Sequence, residues 1–119
     1  MSRWNTVDVF PYKGLDARLS YTFEDIPVRD TFDWDEDEIR EIENKVNNGD
    51  LYWIIARVEL FLGSVIIGES ILGGILVESM DELKEEYLEE LCYDAYQEAQ
   101  VWYNENRGFL QSYEFSLKD

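Results

Sequence analysis

The chain has no histidine and a single cysteine, Cys92. Without histidine it lacks the commonest general base and the commonest protein metal ligand. One cysteine cannot build a disulfide framework within the chain, which fits a cytoplasmic compartment. On the apolar side of a helix, Cys92 reads as a small buried hydrophobe. Cations are scarce too: ten Lys and Arg stand against 27 Asp and Glu, for a formal net charge of −17. Such a chain is repelled by nucleic acid and by anionic membrane surfaces. Its expected partners are basic surfaces on other proteins, with no direct nucleic acid and no membrane. Met1 to Phe10 lacks the apolar run of a signal peptide.

Motifs for chemistry are also missing. The glycines from Gly68 to Gly73-Gly74 have no P-loop lysine, and no nucleophile motif or Cys/His cluster is present. Among 27 acidic residues, carboxylate pairs arise by chance and carry no diagnostic spacing. Asp33-Trp34-Asp35-Glu36-Asp37 opens like a calcium loop. It fails at the sixth position, Glu38 in place of glycine, and at the twelfth, Asn44 in place of a bidentate Glu. The expectation is a protein that is no enzyme and needs no cofactor or metal.

What the chain does have is core material. Hydrophobic residues make up 45% and aromatics 15% of 119 residues, enough for one domain over 1–119. Ser79 to Tyr103 reads as a long helix. Ser79 is a favoured N-cap, and Glu82 completes a capping box. Leu83, Tyr87, Leu88, Leu91, Cys92, Ala95, Ala99 and Trp102 gather on one side at helical spacing. Asp35, with Glu38, caps a short acidic helix ended by Asn48-Gly49, and Trp34 and Ile39 form a hydrophobic staple.

Ala17 to Phe23 alternates as a half-buried strand, after an extended arm over 1–16 that turns at Lys13-Gly14. Glu24 to Phe32 reads as an acidic loop broken by Pro27. Leu51 to Leu62 is a long strand that turns at Gly63. Val65 to Ile67 and Ile75 to Val77 return, with the glycines between them marking bulges or a break. Leu110 to Leu117 alternates as a closing strand. These elements predict an α+β domain: a mainly antiparallel sheet with the long acidic helix packed on one face. The rival for Leu60 to Val77 is a membrane span, and Glu69 at its centre, four glycines and absent basic flanks oppose that reading.

The charge is concentrated. Glu24 to Glu43 holds ten acidic residues against Arg29 and Arg40; Glu78 to Glu98 holds nine against Lys84. Each window nets −8, leaving the rest nearly neutral. On the long helix, Glu82, Glu86, Glu90, Asp94 and Glu98 form an unbroken i, i+4 column climbing roughly 6 Å per step. Consecutive phosphates of a nucleic-acid strand are spaced by roughly 7 Å of backbone. Such columns on a firm scaffold can present a DNA-binding protein with the charge pattern it meets on DNA. The candidate contact residues are Asp33, Asp35, Glu36, Asp37 and Glu41 in the first window, and Glu82, Glu85, Glu86, Glu89, Glu90 and Asp94 in the second.

In its size, its two charge blocks and the run Glu82-Leu83-Lys84-Glu85-Glu86-Tyr87-Leu88-Glu89-Glu90, the chain resembles the small acidic anti-defence proteins of bacteriophages and mobile elements. Leu51 through Leu72-Gly73-Gly74 to Glu78-Ser79 also looks like phage reading frames of unknown role. The resemblance implies a DNA-mimic inhibitor of a restriction or CRISPR effector type of protein, acting in the cytoplasm of a bacterial host. The alternative is an interaction or homodimerisation module contacting its partner through aromatics such as Trp4, Tyr93 or Tyr103, with charge serving solubility only.

Overall fold

The computed structural model describes residues 3–107, in the order β1 (Asn5–Tyr12), β2 (Leu15–Phe23), α1 (Val28–Thr31), α2 (Glu36–Asn47), β3 (Tyr52–Leu62), β4 (Val65–Val77) and α3 (Met80–Glu105). The four strands pair antiparallel in chain order, β1-β2-β3-β4, as one meander. This is the α+β class, with an antiparallel sheet and one long helix. The closing strand expected over 110–117 lies outside the described residues.

The segment read as an arm is strand β1. Its alternation is broken by a bulge at Val7, between Thr6 and Asp8. Its Pro11 is tolerated because β1 lies at a sheet edge, where a missing N–H costs no ladder bond. The turn falls at Lys13-Gly14, both with positive φ (51° and 86°). At the other edge, β4 runs unbroken through its glycines, and irregularities opposite Ile54/Ala56 and Leu60/Phe61 absorb them as bulges. The stretch weighed as a membrane span is therefore part of the β3–β4 hairpin. Among the described residues, no helix is long and apolar enough to cross a membrane.

α3 lies along β4 and β3. Leu83, Leu91, Cys92, Ala95, Tyr96 and Ala99 are buried on it, against Ala17, Leu19, Ile54, Val58, Leu60 and Ile75 from the sheet. The helix comes close because Gly68 has no side chain: a Cβ there would meet the Ala95 carbonyl oxygen, and would sit 3.0 Å from the Ala99 Cβ. The Ser70 hydroxyl donates to the Leu91 carbonyl at 2.5 Å and fixes the helix along the strand. Ser79 Oγ accepts from Glu82 N–H at 3.1 Å, while Glu82 Oε2 reaches back to Glu78 N–H at 3.2 Å, one residue before the cap. Buried Tyr96, outside the expected apolar set, meets Tyr12 edge-on at 5.9 Å.

The opposite face of the sheet is covered at one end only. Trp53 Nε1 donates to the Ile26 carbonyl at 2.7 Å, and Val28, Ile39 and Trp53 are buried there. The expected acidic loop thus contains a helical turn, α1, with Pro27 just before its first residue, where a fixed φ and a missing N–H cost nothing. Asp35 sits at the N-cap of α2 but makes no side-chain cap bond. Trp34 stacks on Phe32 at 4.1 Å, and Phe32 leans on Trp53. Under this covering, Thr22 and Ser20 are buried, so β2 is not half-buried along its whole length.

Cys92 is buried, and desolvation pushes its thiol up to about 11. Thiolate is the reactive form. We therefore expect a thiol reagent at pH 8 to leave Cys92 unmodified in the folded chain and to label it promptly in denaturant. Fast labelling under native conditions would contradict its burial beneath α3.

Candidate interaction surface

The two acidic windows occupy opposite sides of the sheet and differ in how their charge is held. In the first, Arg29 sits at the centre of a chelate. Its Nη2 lies 2.7 Å from Glu43 Oε1 and its Nη1 lies 3.4 Å from Glu36. Arg40 adds a second contact to Glu36 at 3.6 Å, and Lys45 reaches Glu41 at 3.6 Å. The hydrogen bond from Arg29 holds the Glu43 carboxyl below the usual carboxylate range, and its partners hold Arg29 more firmly protonated. Glu36 and Glu41 are thus already matched by cations of the same chain. Asp33, Asp35 and Asp37 remain exposed around them.

The second window is different. Its one cation, Lys84, turns away from the glutamates: its Nζ lies 2.8 Å from Asp8 Oδ2 on β1. That hydrogen bond raises the Lys84 pKa and lowers that of Asp8. Glu82 is engaged at the helix cap, half-buried. Glu85, Glu86, Glu89, Glu90 and Asp94 are exposed on the outer side of α3. Every one of them is carried by a helix packed on the sheet, so their spacing is set by the backbone.

Four of these carboxylates line a cleft. Glu85, Glu86, Glu89 and Glu90 face the β1–β2 turn across a space of about 590 Å³, closed by Tyr12, Lys13 and Tyr93. Tyr93 is exposed. Lys13, held in the left-handed region by its turn, places its ammonium 5.0 Å from the Tyr96 ring centre and 5.9 Å from that of Tyr12. Desolvation raises the Tyr12 pKa, with Cys92, Tyr96 and Glu89 adding to it, so its phenol stays protonated. Carboxylates beside aromatic faces make a seat suited to a guanidinium or ammonium group.

Tyr12 and Lys13 are absent from the candidates read off the sequence. The Lys13-Gly14 pair signals the turn, but only the sheet brings that turn against α3. Among the expected aromatic contacts, Tyr93 borders the cleft, Trp4 covers the Arg57 guanidinium at 4.0 Å, and Tyr103 is half-buried. Among the described residues, no group of three or more acidic or cysteine side chains is arranged to hold a metal ion. No family model matches this chain, and no curated protein or solved structure matches it either.

Proposed function

We propose that this protein is an inhibitor that occupies the basic nucleic-acid groove of a host defence or DNA-processing protein, with α3 as the contact element. The observation that carries the reading is the contrast between the two windows. Glu36, Glu41 and Glu43 of α2 are paired within the chain, whereas Glu85, Glu86, Glu89 and Glu90 stand exposed on a firm helix whose only lysine is drawn off by Asp8. Uncompensated like charges at i, i+4 destabilise a helix by a few tenths of a kcal/mol per pair. An external cation that removes this repulsion gains that energy as binding energy. Lys and Arg side chains in a DNA-binding groove supply such cations at phosphate-like spacing. The partner class is a restriction or CRISPR effector type of protein in a bacterial cytoplasm.

The test is capture from bacterial lysate on the immobilised chain, at low and at high salt, followed by elution with duplex DNA. Nucleic-acid enzymes should bind at low salt and be released by either treatment. Partners that stay bound through high salt and excess DNA would overturn the reading.

A further inference from the structure

One wall of the acidic cleft already holds a cation of the chain itself. Lys13 stands at the β1–β2 turn, and among the described residues it is the one non-glycine residue with a positive φ. A two-residue hairpin turn with positive φ at both positions favours Asn-Gly, so a lysine there goes against the backbone preference. Its side chain supplies a reason. The ammonium lies 5.0 Å from the Tyr96 ring centre and 5.9 Å from that of Tyr12, within cation–π range. Arg29, Arg40, Lys45 and Lys84 each take a carboxylate. Lys13 behaves differently. Four glutamates line the same cleft, yet among the described residues its ammonium makes no salt bridge with any of them. The carboxylate wall is therefore left open, while the tyrosine wall is covered.

We propose that Lys13 is a specificity residue of this cleft, a built-in plug that an arginine of the partner displaces. This rests on the inhibitor reading and names the side chain for which the cleft is shaped. A lysine ammonium is a compact point charge, and the glutamates alone satisfy it. A guanidinium is planar, and it stacks on a ring while its fork takes carboxylates. Tyr93 at the rim is exposed, and a cation–π contact in water is worth least. The half-buried ring of Tyr12 is the better seat, and Lys13 holds it. Lys13 is itself exposed on a long, flexible stem, so it swings into water without unmaking the turn. The space of about 590 Å³ in front of it is ample for one arginine side chain. With the plug in place, the cleft reads arginine and lysine mainly as charges. Without it, the cleft favours arginine.

Titration calorimetry of the full chain at low salt tests this, with two capped peptides of equal length, one all arginine and one all lysine. Lys13→Asn suits the left-handed turn, so its far-UV spectrum should match the parent's and its melting midpoint should not fall. It should tighten the arginine peptide about tenfold, the size of a partly desolvated cation–π contact. The lysine peptide should tighten by only about threefold or less, the share due to lost repulsion. Lys13→Arg keeps the seat filled and should leave both affinities within about twofold of the parent's. Lys45→Gln makes the same charge change on α2 and should leave the arginine-to-lysine ratio where it was. Equal tightening of both peptides in Lys13→Asn, no tightening, or the same shift of ratio in Lys45→Gln overturns the plug and leaves the inhibitor reading standing. If neither peptide binds the parent or any variant, both fall together.

Discussion

Replacing Gly68 with valine should unfold the protein or leave it barely stable. Any Cβ at that position is driven into the Ala95 carbonyl and the Ala99 backbone of α3. These are backbone atoms of a packed helix, so no rotamer change relieves the clash and the helix must lift from β4. Overpacking a core costs about 1–3 kcal/mol, and lifting α3 also uncovers residues such as Leu83 and Leu91, whose burial is worth a further 2 kcal/mol or so each. A loss of about 4 kcal/mol or more, read from urea unfolding, is a large part of the stability of a domain this size. Gly49→Ala is the control. That glycine has φ +83° but nothing within 4 Å of a built Cβ, so only its backbone preference is offended, for about 1 kcal/mol. Equal effects from the two variants would mean that α3 does not sit on β4 as described.

Converting Glu85, Glu86, Glu89 and Glu90 together to glutamine should have opposite effects on binding and on folding. Five i, i+4 repulsions disappear, Asp81 with Glu85, Glu82 with Glu86, Glu85 with Glu89, Glu86 with Glu90 and Glu90 with Asp94, so α3 gains a few tenths of a kcal/mol for each. Affinity for a captured basic partner should fall about a hundredfold at low salt, and the dependence of binding on salt should flatten. The matching change on α2, Glu36→Gln with Glu41→Gln, should leave affinity within about threefold. Those carboxylates already spend their charge on Arg29, Arg40 and Lys45, and exposed pairs of that kind are worth under about 1 kcal/mol. Titration of the partner into each variant, beside a thermal melt, reads both quantities. If the quadruple variant binds as tightly as the parent, α3 is not the contact and the proposed function fails.

The long elements were legible because their periodicity is undisturbed. Leu83 to Ala99 keeps helical spacing over four turns, and Tyr52 to Leu62 is dense in aromatic and β-branched residues. β1 was not legible: the Val7 bulge interrupts its alternation, and Pro11 argues against a strand unless the strand lies at an edge. α1 is a four-residue helix, too short to show a period. At the surface, the column of carboxylates could be read directly, but its balance could not. Lys84 stands among glutamates in sequence, yet its partner is Asp8, 76 positions away. Arg29 gathers Glu36 and Glu43 from seven and fourteen positions on. Which negative charges stay available is decided by tertiary placement, and charge counts along the chain treat the two windows as equals.

The chain-order meander also governs how the molecule is made. Each strand finds its mate in the strand synthesised just before or after it, across tight turns for β1–β2 and β3–β4 and across α1 and α2 for β2–β3, so no strand pairing waits for α3. The helix that roofs it is translated afterwards. Without Leu83 to Ala99 in place, Leu19, Val58 and Leu60 face water on a naked sheet, the kind of surface that incomplete chains lose to aggregation. A released chain truncated between Val77 and Met80 should therefore stay in solution only with a chaperone, whereas the full chain, with α3 over the sheet, should not need one.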